Sequence, residues 1–296
     1  MDIDLNLYRI FYEVAKRGNI TKAAEELYIS QPAVTQAIHS LEKQIGATLF
    51  IRAKKGVTLT EEAKVLFQFV ESGLNYIKNG ENKFKELMNI ESGTLKIGAS
   101  TTVTQHVLLK YLDIFQERYP NVSISIVNNL TQDLVKLLRE GSVDLLILNL
   151  PTKEYKDIDI IPFLEVHDTF MIGKRKSNLL NKTLDLTKVK EDFIFQKSPS
   201  NTRLFLNNYL NNNNIDIIPK YDVVSFNLVK DMTKMNLGIG YITKEFAIKE
   251  LESGELFELD YTPKIPSRNI GIATLSNTIP SFTTKKFIDI ILKEKI

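Results

Sequence analysis

Polar side chains recur at helical spacing near the N-terminus of the 296-residue chain. An amide, a hydroxyl, a second amide and an imidazole at positions i, i+4, i+5 and i+8 fall on one side of a helix. Such groups can hydrogen-bond base edges in the major groove of DNA, and a threonine methyl can touch a thymine methyl. The spacing therefore predicts a DNA-contacting helix and its start, made up of Ser30, Gln31, Pro32, Thr35, Gln36 and His39.

A basic cluster follows this segment. Arg52, Lys54 and Lys55 fall within four positions beside Gly56, between two short apolar runs that look like strands. A hairpin wing at this place would lay the three cations along DNA phosphates. The chain has 38 basic and 36 acidic side chains, and the whole excess lies in the first sixty residues. Taken alone the cluster is more typical of a solvated turn, but its position after the polar helix favours the wing.

Hydroxyl side chains gather at the turns between strands and helices in the rest of the chain. Because a helix N-terminus presents free amide groups and the positive end of a dipole, hydroxyls and amides there can hold an anion. Each hydroxyl alone is more typical of a helix cap. Converging on one cleft, they predict a site for a small, anionic effector, formed by Ser100, Thr101, Thr102, Thr131, Ser200, Thr202 and Ser225.

Several kinds of chemistry are excluded or disfavoured by the residues present. The chain has no Cys, which excludes disulfides, thiolate metal sites and cysteine nucleophiles. His106 and His167 stand alone, without the second ligand that a metal site requires. Gly238-Ile239-Gly240 lacks the third glycine of a dinucleotide fingerprint, and neither a phosphate loop nor a nucleophile elbow occurs. We therefore expect no cofactor, no bound metal and no enzyme activity.

The predicted N-terminal elements make the polar segment the second helix of a helix-turn-helix. Apolar residues from Leu7 to Ala15 follow the spacing of one helical face, and Gly18 ends that helix. Thr21 is the expected cap of a second helix and Ser30 that of a third, which Gly46 closes. Two short helices joined in this way match the helix-turn-helix, whose second helix lies in the major groove. The alternative is a generic three-helix bundle, which neither the polar face nor the basic cluster favours.

A long helix is predicted to follow the wing, with Thr60 as its cap and Glu61 and Glu62 in its first turn. Its apolar positions advance in alternating steps of four and three, as in the seam of a coiled coil. This seam predicts that two chains pair through Phe67, Val70, Leu74, Ile77, Phe84 and Met88. The alternative is a helix packed on its own domain. A dimer suits the helix-turn-helix, because two copies bind two half-sites.

Beyond a polar hinge at Glu91-Ser92-Gly93, short apolar strands alternate with amphipathic helices. Strands are predicted at 95–98, 122–127, 143–148, 168–173, 193–196, 219–223, 238–242 and 269–274. Helices are predicted at 104–118, 131–139, 202–210, 226–236 and 280–294. The alternation predicts an α/β fold of mostly parallel, open sheets in two lobes, with a ligand cleft between them. The last strand and helix are expected to return to the first sheet.

The N-terminal motif resembles that of the LysR-type transcriptional regulators. The resemblance runs from Phe11 to Phe50 and is carried by Ala23-Ala24, Leu27, Ser30-Gln31-Pro32-Ala33-Val34, Ile38, Leu41-Glu42, Gly46 and Leu49-Phe50. The sequence departs from the family pattern at Thr35, where Ser is usual, and at Gln36, where a basic residue is common. It departs again at Thr60-Glu61-Glu62-Ala63, where Thr-x-Ala-Gly is usual.

The resemblance implies the organisation of the whole chain. It implies an all-α winged helix-turn-helix at 1–59, a linker and dimerisation helix at 60–90, and an effector domain at 91–296. That domain would have the two-lobed, type 2 periplasmic-binding-protein-like fold, with lobe I at 91–162 and 268–296 and lobe II at 163–267. The expected crossings lie near 162–165 and 264–268. The resemblance also implies pairing through the long helix, commonly into tetramers, and supports effector contacts at Thr101, Thr102, Thr131 and Thr202.

The expected function is that of a sequence-specific transcriptional regulator controlled by the effector. The expected partners are promoter double-stranded DNA, the effector, further copies of the chain in a homodimer or homotetramer, and RNA polymerase. The N-terminus is acidic, unlike a secretory signal, and no apolar run approaches the roughly 20 residues of a membrane span. These features predict a cytoplasmic protein without membrane contact. The alternative function is that of a cytoplasmic solute-binding protein without a regulatory role.

Overall fold

The structure is a computed structural model that describes residues 3–53, 56–88 and 93–294. The chain forms two compact units, one built on Met1–Lys85 with Arg139–Gly141 and the other on Glu86–Leu138 and Ser142–Ile296. Among the described residues, no helix combines the length and the apolar character that a membrane span requires.

Three helices, a hairpin and a long helix make up the first unit. Their bounds are α1 Leu5–Arg17, α2 Ile20–Leu27, α3 Gln31–Ile45, β1 Phe50–Ala53, β2 Gly56–Leu59 and α4 Glu61–Met88. Gly18 and Gly46 end α1 and α3 in the left-handed conformation, which confirms both predicted helix ends. The predicted cap of α2 is wrong: the Asn19 side chain, and not Thr21, accepts a hydrogen bond from the Lys22 amide. Asn19 directly precedes the helix, whereas Thr21 already lies inside it.

The core of the first unit is shared by its helices and the hairpin. Phe11 and Val14 of α1 and Val34 and Leu41 of α3 are fully buried in it. Burying each such side chain contributes about 1.5–3 kcal/mol to folding. With these apolar side chains turned inward, the polar side of α3 remains on the surface.

The second unit alternates strands and helices. Its bounds are β3 Thr94–Ala99, α5 Thr101–Val103, α6 Leu109–Arg118, β4 Ser123–Asn128, α7 Thr131–Arg139, β5 Leu145–Asn149, β6 Ile158–Val166, β7 Asp168–Gly173, β8 Leu184–Asp185, β9 Phe193–Gln196, α8 Asn201–Asn212, β10 Tyr221–Val223, α9 Phe226–Lys234, β11 Ile239–Thr243, α10 Ile248–Glu252, β12 Leu256–Glu258, β13 Tyr261–Thr262, β14 Arg268–Leu275 and α11 Phe282–Lys293. A π-helical turn, Thr104–Leu108, joins α5 to α6, so the helix predicted from residue 104 begins at Thr101.

Two five-stranded sheets define two lobes within this unit. Lobe I has the strand order β4-β3-β5-β14-β6 and lobe II the order β10-β9-β11-β7-β12. In each sheet the first three strands are parallel and the last two pair antiparallel. The sheets are therefore mixed and not mostly parallel as predicted. The predicted return of the last strand to the first sheet is confirmed, because β14 pairs with β5 and β6 of lobe I.

The chain crosses between the lobes at two places. Strand β6 was not predicted as an element, yet it pairs with β14 as far as Val166. The first crossing therefore lies at His167, beyond the predicted 162–165, and residues 163–166 belong to lobe I. The second crossing lies between β13 and β14, which overlaps the predicted 264–268. Pro162 interrupts the apolar run of β6, at the register shift opposite Gly271, and a proline inside a run argues against a strand in the sequence.

Candidate functional site

The predicted DNA-contacting segment lies at the start of α3. The Ser30 hydroxyl oxygen caps the helix by accepting a hydrogen bond from the Ala33 amide at 3.3 Å, which confirms the predicted cap. Pro32 occupies the first turn, where its missing amide hydrogen costs nothing. Most of the predicted contacts are exposed on one side of the unit, namely Ser30, Gln31, Pro32, Gln36 and His39.

Thr35 differs from these residues because its hydroxyl is engaged within the helix. It donates to the Gln31 carbonyl oxygen at 3.1 Å and accepts from the Gln31 side-chain amide at 3.0 Å. The half-buried Thr35 thus orients the Gln31 amide in addition to presenting its own side chain. Removing the hydroxyl would leave the Gln31 side chain free to rotate.

The hairpin forms as predicted after α3. Strands β1 and β2 are antiparallel, and Arg52 lies opposite Val57 with its side chain exposed. Lys54 and Lys55, which were predicted to extend the cluster along DNA phosphates, lie outside the described residues. Arg52 is therefore the described cation of the wing.

Glu42 fixes the wing to α3, a role that sequence analysis did not assign to it. One oxygen of its carboxylate accepts hydrogen bonds from the Leu49 amide at 2.8 Å and the Phe50 amide at 3.4 Å. The other oxygen lies 3.4 Å from His39 Nδ1. Glu42 thereby joins the predicted base-contacting helix to the predicted phosphate-contacting hairpin. A carboxylate placed three residues after an exposed polar position gives no sequence signal for such a contact.

The long helix α4 has the predicted length, but part of its predicted seam faces its own unit. Phe67 stacks on Tyr12, with the ring centroids 5.5 Å apart, and Val70 packs against the same core. Leu74 is half-buried, and the side chain of Met88 lies outside the described residues. Among the described side chains of this helix, the exposed large apolar ones are Val65, Phe69, Tyr76, Ile77 and Phe84.

A cavity of about 500 Å³ lies between the lobes of the second unit. We call it the effector cavity. All seven residues predicted to bind the effector line it, namely Ser100, Thr101, Thr102, Thr131, Ser200, Thr202 and Ser225. The structure brings these residues together from four turns that are far apart in the sequence.

Four helices begin at the wall of this cavity. They start at Thr101, Thr131, Asn201 and Phe226, two from each lobe. Side-chain hydroxyls cap three of them, because Ser100, Ser200 and Ser225 accept hydrogen bonds from the amides of Val103, Arg203 and Leu228. Each of these hydroxyls keeps its own hydrogen for donation to a ligand. The cavity therefore presents the positive ends of four helices together with hydroxyl donors.

Thr202 stands out among the lining residues. The residue is only 7% exposed, and its hydroxyl makes no hydrogen bond with any described residue. The hydroxyl oxygen is not among the buried polar atoms that lack a partner, so it is accessible from the cavity that the residue lines. The geometry suits a ligand that supplies the missing partner.

Lys197 is a lining residue that sequence analysis missed. It follows β9 directly and is the single charged residue among the described residues of the wall, which include no carboxylate. Its position at the end of a strand, just before the Ser198–Ser200 turn, was the available signal. With the four helix N-termini, this ammonium makes the wall favourable to anions.

Two hydrogen-bonded bridges cross the cleft beside the cavity. The Asn201 side-chain amide of lobe II donates to the Asn149 carbonyl oxygen of lobe I at 3.0 Å. The Asn227 side-chain amide of lobe II donates to Gln105 Oε1 of lobe I at 2.9 Å. All four residues line the cavity, so a ligand that moves them would also alter the contact between the lobes. Pairing across a cleft depends on the packing of the lobes, which no local sequence pattern reveals.

His106 lies at the same boundary and is packed, not free to ligate a metal. Its ring stacks on Phe246 at 4.8 Å and meets Phe226 edge-on at 5.3 Å between centroids. Burial, and then the nearby Lys230 ammonium, lower the pKa of His106, while the hydrogen bond to Asn227 opposes the shift. The neutral imidazole is thus the form that fits between the lobes.

Comparison with known proteins identifies both units. Residues 5–64 match the model described as "Bacterial regulatory helix-turn-helix protein, lysR family", and residues 89–295 match the model described as "LysR substrate binding domain". A "Probable RuBisCO transcriptional regulator" of Porphyra purpurea is 28% identical over 97% of this chain and 93% of its own length.

Solved structures agree with the fold. A full-length variant of OxyR from Pseudomonas aeruginosa has a TM-score of 0.69 at 19% identity, covering 99% of this chain and 94% of that one. The Synechocystis CcmR regulatory domain in complex with 2-PG has a TM-score of 0.61 at 23% identity, covering 67% of this chain and 95% of that one. A helix-turn-helix unit and an effector-binding unit are thus both present, and the chain belongs to the LysR family of transcriptional regulators.

Proposed function

We propose that the chain contacts promoter DNA through the start of α3 and the wing, and that a small anion in the effector cavity controls this binding. The observation that carries the proposal is the convergence of four helix N-termini and Lys197 on one cavity between two lobes. No carboxylate among the described lining residues opposes a negative ligand. The 2-PG complex named for the CcmR domain supports an effector in the equivalent unit of a related fold.

The effector would act by favouring one relative orientation of the lobes. Its contacts on the lobe I side would include Thr102 and Thr131, and those on the lobe II side Thr202 and Ser225. A ligand that touches both walls binds the closed arrangement more tightly, and it shifts the equilibrium by that difference in affinity. The change in lobe orientation would then alter which DNA half-sites two paired chains engage together.

Self-association would use the exposed stripe of α4, defined by Val65, Phe69, Tyr76, Ile77 and Phe84. An exposed apolar stripe along a helix is typical of a surface that another helix covers. This assignment replaces the predicted seam at Phe67 and Val70, whose side chains already pack within their own unit. The assembly would be a homodimer or homotetramer acting in the cytoplasm, with RNA polymerase as a further partner.

An enzymatic role has little support from the cavity. Its described wall offers hydroxyls, amides and one ammonium, but no histidine or carboxylate that could serve as a general base. The regulator proposal therefore assigns the cavity to binding alone. A solute-binding protein without regulatory role would have the same cavity, so DNA binding is the property that separates the two functions.

The decisive experiment is fluorescence anisotropy with DNA from just upstream of the protein's own coding sequence. Salt is titrated, and a shuffled duplex serves as competitor. We expect tight binding that survives the competitor, with a logarithmic salt slope that falls by about one for Arg52→Ala. Arg175→Ala, which removes an exposed cation of the second unit, is the matched control and should leave the slope unchanged.

Gln36→Ala should act differently, by changing sequence preference at roughly 1–3 kcal/mol per lost base contact. Equal, weak binding of the genuine and shuffled duplexes by the unaltered protein would contradict the regulator proposal for this promoter. A loss on Gln36→Ala that is the same for both duplexes would contradict the placement of α3 in the major groove.

A further inference from the structure

A second cavity adjoins the effector cavity and has a different chemical character. It measures about 330 Å³, and we call it the side cavity. Its described wall consists of Thr131, Gln132, Pro151, Thr152, Lys153, Tyr155, Asn201, Leu204, Phe205 and Asn208. The wall thus comes from the start of α7, the connection between β5 and β6, and one side of α8.

Apolar groups dominate one part of this wall. Pro151 and Tyr155 come from lobe I, and Leu204 and Phe205 come from lobe II. Leu204 is 38% exposed and Phe205 is half-buried, so these two side chains leave apolar surface that a ligand can cover. Two aromatic rings and a proline ring suit a flat, apolar group, which packs on such surfaces with little loss of freedom.

The polar part of the wall carries a single charge. Lys153 is exposed, and no carboxylate of a described residue lies within ion-pair distance of its ammonium group. Side-chain amides of Gln132 and Asn208 and the hydroxyl of Thr152 complete this part. Ammonium and amide groups beside an apolar surface match a ligand with an anionic group at one end.

We propose that the side cavity is a second ligand site, which binds an amphiphilic anion. The ligand class is a small molecule with one flat apolar ring and one carboxylate, sulfonate or phosphate group. The ring would cover Leu204 and Phe205, and the anionic group would meet Lys153. This chemistry differs from that of the effector cavity, whose described wall is lined mainly by hydroxyls and helix N-termini. The proposal stands apart from the effector proposal and does not require it.

Two residues couple the side cavity to the effector cavity. Thr131 and Asn201 line both, and Asn201 also donates the hydrogen bond that bridges the lobes at Asn149. A ligand in the side cavity therefore contacts both lobes next to that bridge. By thermodynamic linkage, the factor by which a side-cavity ligand changes the affinity for the effector equals the factor by which the effector changes the affinity for the side-cavity ligand.

The test uses the full-length protein and the fluorescent dye anilinonaphthalene sulfonate, an aromatic sulfonate of the proposed class. Lys153→Ala should weaken dye binding by roughly threefold to fivefold, as expected for a partly exposed ion pair. Lys156→Ala removes an exposed cation from the same connection that does not line the cavity, and should leave the dissociation constant unchanged. Leu204→Asp, on the opposite wall, should weaken binding by about tenfold, because it adds a negative charge and removes apolar surface.

The result that overturns the proposal is equal dye binding by the Lys153 and Lys156 variants, or dye binding that Leu204→Asp leaves unchanged. Circular dichroism of each variant checks that the fold is intact. The titrations are made without effector and repeated with Thr202→Val, which alters only the effector cavity. We expect Thr202→Val to leave dye binding unchanged. The proposal for the side cavity can therefore be tested separately from the proposal for the effector cavity.

Discussion

Arg268 and Asp168 form a buried, two-pronged ion pair between the first residue of β14 and the first residue of β7. Arg268 Nη2 donates to Asp168 Oδ1 at 2.9 Å and Nε donates to Oδ2, with the two side chains 1% and 0% exposed. Tyr241 and Thr243 donate to the same carboxylate, at 3.0 Å and 2.6 Å. Both crossings between the lobes therefore end at one hydrogen-bonded cluster. Arg268 Nη1 extends it to the effector cavity by donating to Asn149 Oδ1 at 2.6 Å.

Asp168→Asn should destabilise the second unit by about 3–5 kcal/mol, because it leaves the buried guanidinium without its counter-charge. Chemical denaturation of the full-length protein, followed by circular dichroism, measures the change. Glu294→Gln is the control: it breaks the exposed pair with Arg118 and should cost no more than about 1 kcal/mol. Similar losses for both variants would show that the buried pair does not hold the crossings together.

The relation between Arg268 and Asp168 also marks the limit of what the sequence predicts. Apolar alternation predicted both strands, since β7 is buried along its whole length and β14 along its middle. Their two charged first residues are 100 positions apart, and only the antiparallel addition of β7 and β14 to parallel sheets brings them together. The hydroxyl positions were predictable because helix starts at strand ends follow local rules. The partners across the cleft were not, because they depend on how two lobes pack.

The difference between local sequence rules and packing also explains why the predicted seam of α4 was partly wrong. Spacing alone predicts which residues share a helix face, so Phe67 and Val70 were correctly grouped as one stripe. It does not say whether that stripe meets α1 of the same chain or another copy, and the ring of Tyr12 decides the matter for Phe67. Phe69 lies on the opposite stripe, and the structure leaves it 73% exposed. A large aromatic residue on that side of the helix was therefore the better indication of a surface that another chain covers.

Gly56→Ala should destabilise the first unit and detach the wing. A β-carbon at Gly56 would lie 2.1 Å from the Gly18 carbonyl oxygen, and its φ of +107° is unfavourable for other residues. We expect a loss of about 2–5 kcal/mol, from collision and backbone strain together. Hydrogen exchange at the Val57 amide, which donates to that same carbonyl oxygen at 2.9 Å, should accelerate.

Gly46→Ala is the matched control for Gly56→Ala. Gly46 also has a positive φ, of +80°, but a β-carbon there would meet no atom within 4 Å. Only the strain remains, so we expect a loss of roughly 1–2 kcal/mol and unchanged exchange at Val57. If both alanine variants behaved alike, contact between the wing and the end of α1 would not be what Gly56 provides.

Thr202→Val should weaken effector binding and leave the stability of the free protein nearly unchanged. The stability of the free protein should change little, because the Thr202 hydroxyl is accessible from the cavity and makes no hydrogen bond with a described residue. Affinity for the anion that most raises the melting temperature, in a screen of small carboxylates and phosphates, should fall by roughly fivefold to tenfold. Isothermal titration calorimetry measures the affinity. Thr233→Val, buried away from the cavity, should lower stability and leave affinity unchanged.

Phe69→Glu should dissociate the assembly of chains without unfolding the first unit. The side chain is exposed, so replacing it costs the monomer little, whereas a charge inside a paired apolar stripe is strongly unfavourable. Sedimentation velocity should show a shift to the monomer. Ile218→Glu changes an apolar side chain of the second unit that is even more exposed, and it should leave the assembly intact. An unchanged sedimentation coefficient for Phe69→Glu would place the interface elsewhere.

His106 should make the second unit less stable in mild acid. Burial and the Lys230 ammonium lower the pKa of the folded-state imidazole below its ordinary value of 6.5, so the unfolded chain binds the proton more readily. The contribution of neutral His106 to the free energy of unfolding is therefore fully present above pH 6.5 and is lost as the pH falls below that value.

The groups around the ring make this loss specific to the boundary between the lobes. Phe226 and Phe246 pack against the imidazole, so the protonated ring would be poorly hydrated, and the Lys230 ammonium would repel it. His106→Phe keeps an aromatic ring at the position and removes the titration. Denaturation midpoints between pH 5.5 and 7.5 should vary less in this variant than in the unaltered protein. An equal pH dependence of the His106→Phe variant and the unaltered protein would contradict this contribution of His106.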